Sequence, residues 1–215
     1  MMSVKDILFS NFKNLVAVDL PDWLDSEIKD NNSIIKSYIW KTDNLRRIRL
    51  CELNINQKFI AESLVIYPNF DFINPIFGTE FVICGGKKFF GTIDFHPLKT
   101  DSEYEDKYIN KYLGDQPNRA KDKSKIYDLD LFFSKKLWIK TSSENFYKEY
   151  LDKLNLYLFK YNECTKKCEQ EDAHIYQKNY DHHLSFTDPA YGILKAHYTK
   201  DFAEKYIKDF LFNLA

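Results

Sequence analysis

Glu80-Phe81-Val82-Ile83-Cys84-Gly85-Gly86-Lys87-Lys88-Phe89-Phe90-Gly91-Thr92-Ile93-Asp94-Phe95 decides the fold of this chain. Two β-rich runs, Glu80–Cys84 and Lys88–Phe95, flank a Gly-Gly pair, the signature of a tight antiparallel hairpin. Asp94 and His96 alternate with Ile93 and Phe95, so they share one strand face. Glu80 lies on the neighbouring strand. No metal-ligand spacing, phosphate loop or nucleophile motif accompanies these three ionisable side chains. The site they imply manages protons.

Upstream, Ile34–Lys41, Arg47–Leu53 and Phe59–Tyr67 read as further strands. Arg47–Leu53 alternates, with Ile48 and Leu50 on one face and Arg47 and Arg49 on the other. Strands this close in sequence favour an antiparallel meander. Before them, Ser3 caps a short helix with Val4, Ile7, Leu8, Phe12 and Leu15 on one face. Pro21 and the Asp/Asn-rich stretch at 29–32 break that pattern. Downstream the period changes. Ser102–Leu113 predicts a helix stopped by Gly114, then a polar loop at 114–126 and a strand over Leu131–Thr141. From Ser143 to about residue 165 comes the clearest helix, with Tyr147, Tyr150, Leu151, Leu154, Tyr157, Leu158 and Tyr161 at helical spacing. A further helix covers about 171–185. Asp188-Pro189 opens another, and Phe202–Leu211 closes the chain as an amphipathic helix. This order predicts an α+β fold, an antiparallel sheet covered by helices, in one domain spanning 1–215.

Aromatic residues make up 17% of the chain, far more than a disordered protein carries; this suits a site for a flat conjugated ligand, but the ordinary reading, an A/T-rich genome rich in Phe, Tyr, Ile, Lys and Asn codons, carries more weight. The formal net charge is −1, from 31 basic and 32 acidic residues. There is no global basic field for nucleic acid and no polybasic tail for membranes. No apolar run reaches the ~18 residues of a membrane span, and no signal-peptide core is present. Cys51, Cys84, Cys164 and Cys168 match no zinc spacing and read as reduced thiols of a cytosol-like compartment.

Each candidate residue has two readings. Glu80 is a carboxylic acid held protonated in an apolar pocket, or a solvated strand residue beside a turn. Asp94 with His96 is a tuned proton relay, or a satisfied polar pair before Pro97. Asp188 before Pro189 is fully explained as a helix cap. Arg46, Arg47 and Arg49 hold carboxylates by bidentate pairing, or form a solvated face. His182 and His183 point about 100° apart on a helix and do not suit one metal. Gly85-Gly86-Lys87-Lys88 is a basic turn tip.

Several ordered motifs then narrow the reading. They are Ile39-Trp40 with Leu45-Arg46-Arg47-Ile48-Arg49, Tyr67-Pro68 with Pro75-Ile76-Phe77-Gly78, and Ile93-Asp94-Phe95-His96-Pro97-Leu98. Later come Phe132-Phe133-Ser134, Tyr180-Asp181, Asp188-Pro189-Ala190-Tyr191-Gly192, and Lys200-Asp201-Phe202 through Asp209-Phe210-Leu211-Phe212. In this order, over about residues 33–212, the chain resembles the ferredoxin-dependent bilin reductases. It is most similar to the branch that forms 15,16-dihydrobiliverdin.

The resemblance implies a three-layer α/β/α sandwich with a central antiparallel sheet and the bilin between the sheet and the C-terminal helices. It implies a two-electron reduction of biliverdin IXα at the C15=C16 methine bridge, in phycoerythrobilin biosynthesis, through bilin radicals. Electrons come singly from reduced [2Fe-2S] ferredoxin, and no cofactor or metal is bound. Glu80 takes the place of the family's sheet carboxylate, usually Asp, and Asp188 that of the second acid across the bilin. His96, Asp94, Ser63, Arg47 and Arg49 are the expected substrate-binding residues. Ser63 stands where the phycocyanobilin-forming branch carries His, which argues against that product. Glu80 keeps two alternatives open: another regiospecificity, giving phycoerythrobilin or phytochromobilin, or a bilin-binding protein without catalysis. Ferredoxin and biliverdin are the implied partners, with a second bilin reductase and haem oxygenase as further ones. A monomer in the cytoplasm or plastid stroma is expected. Lys87, Lys88, Lys195 and Lys200 are candidates for the ferredoxin face.

Overall fold

A computed structural model describes residues 2–30, 32–118, 132–167 and 169–212. Helix α1 (Val4–Asn11) opens the chain, with Ser3 and Asp6 forming a reciprocal capping box. Strands β1 (Val16–Ala17), β2 (Glu27–Asp30), β3 (Ser33–Lys41), β4 (Leu45–Ile55), β5 (Phe59–Pro68), β6 (Ile76–Cys84) and β7 (Lys88–His96) follow. Then come α2 (Ser102–Tyr104), a π-helical stretch (Glu105–Asn110) and α3 (Lys111–Leu113), which together occupy the predicted Ser102–Leu113 helix. Strand β8 (Trp138–Ser142) and helices α4 (Tyr147–Thr165), α5 (His174–Thr187), α6 (Ala190–His197) and α7 (Lys200–Lys205) complete the list, with a second π-helical stretch over Tyr206–Leu211.

All strand pairs are antiparallel, and β3-β4-β5-β6-β7-β8 lie side by side in chain order. The short β1 and β2 both pair with β3, at its two ends. The deciding hairpin forms as predicted: Gly85 and Gly86 adopt φ of +62 and +69, left-handed values that favour glycine. This pins Cys84 against Lys88 and therefore Glu80 against Thr92.

Alternation sends Phe77, Thr79, Phe81, Ile93 and Phe95 to one face of the sheet. There Tyr150, Tyr157 and Tyr161 of α4 pack on the phenylalanines. The Thr79 and Tyr150 hydroxyls lie 2.9 Å apart, and the Tyr161 hydroxyl donates to the Pro75 carbonyl at 2.8 Å. Helix α1 joins this layer through Val4, Ile7 and Leu8. The opposite face is covered by α5, α6, α7 and the C-terminal π stretch, whose Leu194, Ala203, Tyr206 and Phe210 bury a second cluster with Ile35, Leu53 and Ile55. The result is an α+β sandwich of helices, sheet and helices.

Three local expectations need correction. The 29–32 stretch interrupts the helix pattern but also carries the end of β2, whose strand character comes from pairing with β3. The strand expected from Leu131 begins only at Trp138, because Ser134 is drawn off the ladder onto Asp94; Leu131 lies outside the described residues, as do 119–126 of the expected polar loop. The closing helix starts at Lys200, capped by the Thr199 side chain. Cys51, Cys84 and Cys164 are free thiols; Cys168 is outside the described residues.

Candidate active site

Register builds the site. Directly paired residues share a face. Ser37, Cys51, Ser63, Glu80 and Thr92 therefore form one row across five strands. Ile39, Arg49, Val65, Gly78 and Asp94 form the adjacent row. Both rows face the C-terminal helices. A cleft partly open to solvent lies over their middle. The sheet contributes Arg49, Ser63, Glu80, Asp94 and His96, and Phe133, Tyr180, Asp188 and Phe212 line it from the other side.

Every predicted site residue except Arg47 thus lines one cleft. The three arginines take different paths, with a register shift in the β4–β5 ladder between Leu45 and Arg47, at Arg46. Arg46 donates to Gln177 Oε1 at 2.8 Å and stacks over Tyr67 and Phe70. Arg47 turns beneath the C-terminus, where Nη2 donates to the Phe210 carbonyl; burial lowers its pKa to about 10. Arg49 alone enters the cleft. It is 1% exposed and donates from Nη1 to Ser63 Oγ at 3.4 Å, while Nε has no hydrogen-bond partner among the described residues. A buried guanidinium with spare donors is a place for an anion.

Asp188 sits between α5 and α6. Its Oδ1 accepts the Ala190 N–H at 2.7 Å, so the predicted capping contact exists, with Pro189 at the cap position itself. Burial pushes its carboxyl pKa up, against the opposing pull of the Ala190 N–H and the Arg49 charge. Glu80 is half-buried on β6, facing the same cleft from the sheet. The arrangement places one carboxylic acid on each wall.

Asp94 lines the cleft but is committed elsewhere. Its Oδ1 accepts the Ser134 hydroxyl at 2.5 Å and its Oδ2 the Ser134 N–H at 2.8 Å. It thereby anchors the Phe132–Ser134 segment over the sheet. His96 Nδ1 lies 3.1 Å from the Phe132 carbonyl and 3.5 Å from Asp94 Oδ2. Burial lowers the His96 pKa to about 4, and the Phe132 carbonyl opposes this only in part.

Sequence reasoning missed a second buried acid. Asp181 on α5 accepts the Tyr67 hydroxyl at 2.6 Å through Oδ1, while Oδ2 has no partner among the described residues. Burial raises its pKa to about 6, against the Tyr67 hydroxyl and the charges of Arg46, Arg47 and Arg49. Tyr180-Asp181 was visible as a motif, but nothing local marks an acid whose partner lies 114 residues away. Among the described residues no His/Cys/Asp/Glu group has a metal-binding arrangement, and no helix is long and apolar enough to cross a membrane.

The family described as ferredoxin-dependent bilin reductase matches residues 10–213. The chain is 30% identical to a 15,16-dihydrobiliverdin:ferredoxin oxidoreductase of Nostoc punctiforme, over 95% of this chain and 90% of that protein. It is 29% identical to the protein of the same name from Prochlorococcus marinus strain MIT 9211, over 86% of this chain and 83% of the relative. The crystal structure of tomato phytochromobilin synthase in complex with biliverdin superposes with a TM-score of 0.81 at 20% identity, covering 98% of this chain and 81% of that one, a likeness of fold. With the family pattern running through nearly the whole length, the chain belongs to the ferredoxin-dependent bilin reductases.

Proposed function

We propose that this protein reduces biliverdin IXα at the C15=C16 methine bridge to 15,16-dihydrobiliverdin. The conversion adds two electrons and two protons. Reduced ferredoxin supplies the electrons one at a time, so the bilin passes through a radical. Each added electron makes the conjugated system more basic, and an acid of the cleft answers with a proton. One hydrogen ends on C15 and one on C16. Glu80 and Asp188 are the donors, and solvent at the open side of the cleft reprotonates them.

The observation that carries this reading is the placement of Glu80 and Asp188 on opposing walls of one cleft. Burial raises the pKa of the Asp188 carboxyl, in the direction that favours the protonated form a donor needs. Arg49 takes a propionate of the bilin, with Ser63 steering the guanidinium. The names of the relatives from Nostoc punctiforme and Prochlorococcus marinus support the choice of bond. Redox chemistry in this reading belongs to ferredoxin and to the bilin itself. Lys87, Lys88, Lys195 and Lys200 are all exposed and available to an acidic ferredoxin.

The test is an anaerobic assay with biliverdin IXα, ferredoxin, ferredoxin reductase and NADPH. Loss of the biliverdin band and growth of a blue-shifted species that co-elutes with 15,16-dihydrobiliverdin is the expected result, since saturating C15 cuts the conjugated system. A product co-eluting with phycoerythrobilin or phytochromobilin overturns the regiochemistry. A bound biliverdin spectrum that never changes overturns catalysis on this substrate.

A further inference from the structure

Helix α5 has two unlike sides. Gln177, Tyr180, Asp181 and Leu184 turn inward, and Tyr180 and Leu184 line the cleft. Ile175, Lys178, His182 and Phe186 follow one another at three- and four-residue steps, so they form one outward stripe. Ile175 is 56% exposed, and Phe186, at 70%, is the most exposed large apolar side chain among the described residues. The His182 and Phe186 rings pack together at 5.0 Å. Apolar side chains aligned on a surface in this way, next to charge, mark a contact face.

The charge on this wall has one sign. From Ala173 to Thr199 the only acids are Asp181 and Asp188. Asp181 is 1% exposed, and Asp188 lines the cleft with its carboxylate on the Ala190 N–H. The same span holds Lys178, Lys195 and four of the chain's five histidines. Elsewhere lysines lie against acids, as Lys99 against Glu171, Lys160 against Asp115 and Lys200 against Glu204. Lys178 and Lys195 make no ion pair with a described residue. In a chain of net charge −1, such a stretch suits a partner that is acidic and offers an apolar contact.

Distance sets this face apart from the other basic ones. A helix with its side chains is about 10–12 Å thick, so one helix separates a partner on the outer stripe from the cleft. The Gly85-Gly86 turn lies about 17 Å beyond Glu80 along β6 at the rise of a strand. On the far face of the molecule both the sheet and α4 intervene. Electron tunnelling falls exponentially with distance, which favours α5.

We propose that the outer stripe of α5, centred on Lys178, His182 and Phe186, is the docking surface for acidic ferredoxin, with Phe186 as its apolar anchor and Lys178 and Lys195 as the steering charges. Electrons then cross α5 to the ligand in the cleft. The inference rests on the family's ferredoxin dependence and on the bilin reading above, and it selects one face for the donor.

Titration of the nitrogen-15-labelled full chain with oxidised [2Fe-2S] ferredoxin maps the face by NMR without any substitution, because the paramagnetic cluster broadens nearby amides. Broadening is expected over α5 from Lys178 to Thr187; broadening confined to the Gly85–Lys88 hairpin overturns the proposal. Calorimetric titration with ferredoxin then weighs the residues. Phe186→Ser should raise Kd about tenfold whatever the salt, the loss of one aromatic anchor. Lys178→Glu should raise it about threefold at low salt and hardly at all at about 1 M, where charges are screened within about 3 Å. Unchanged Kd in both variants defeats the assignment. Wild-type protein that binds ferredoxin on α5 yet never reduces biliverdin strikes instead at the bilin reading, so the two failures are separable.

Discussion

Glu80 and Asp94 stand two residues and one strand apart on the same face, and the proposed mechanism gives them different work. Both line the cleft, and Asp94 holds Ser134 by two hydrogen bonds. Glu80→Gln is therefore expected to keep biliverdin binding and lose turnover by at least the ~100-fold that a positioned acid contributes; single-turnover absorbance checks it, and equal turnover removes Glu80 from the mechanism. Ser134→Ala removes the 2.5 Å bond to a buried carboxylate. It should destabilise by about 1–3 kcal/mol, the range for charge-assisted bonds, read from urea unfolding. The sheet side of this picture was legible in the sequence. Once Gly85-Gly86 fixes the hairpin, pairing puts Gly78 opposite Asp94 and Glu80 opposite Thr92. The role of Ser134 was not legible, because it comes from a loop 40 residues away that alternation misreads as strand.

At the scale of elements, the junction of α5 and α6 places the capping carboxylate of Asp188 on the cleft wall, where the proposed mechanism gives it a second role. The helix-opening pattern Asp188-Pro189 was readable from local chemistry, and the Ala190 N–H does bond its carboxylate. Its position on the cleft wall required the fold. Asn caps as well as Asp but carries no acidic proton. Asp188→Asn should thus leave the melting temperature near that of the wild type and impair turnover. Asp188→Ala should lose turnover and about 0.5–2 kcal/mol of stability besides. Parallel thermal melts and assays separate the roles; a variant Asp188→Asn that turns over normally leaves only the cap. The same junction explains why helix periodicity alone under-read α5. The period locates its buried face but does not say that an acid, Asp181, sits in it against Tyr67.

For the molecule as a whole, two buried titrations oppose each other. His96 has its pKa lowered from 6.5 to about 4, so its contribution to stability is present above pH 6.5 and lost as pH falls through 4. Asp181 has its pKa raised from 3.8 to about 6, so its contribution is present below pH 3.8 and lost as pH rises through 6. Each is worth about 3 kcal/mol across its window, and between about pH 4 and 6 they offset. Relative to wild type, His96→Phe should gain stability as pH falls from 6.5 to 4, and Asp181→Asn should lose it. The swing is roughly 6–12 °C in melting temperature for a chain of this size. Melts at pH 4, 5, 6 and 7 decide; parallel pH curves for all three proteins defeat the prediction.

The row that runs from Ser37 through Cys51, Ser63 and Glu80 to Thr92 crosses five strands, while Asp188 sits at a helix junction on the opposite wall. The two acids therefore belong to regions of unequal cooperativity. The Glu80 amide lies in the middle of the ladder, and its deuterium uptake should need an opening close to global unfolding, on the slowest timescale of the molecule. Amides around Asp188 should exchange through a local detachment of α5–α6, faster by orders of magnitude. An entry route that loosens one wall while the other stays rigid predicts that bound biliverdin slows exchange at the α5–α6 junction and leaves β6 unchanged.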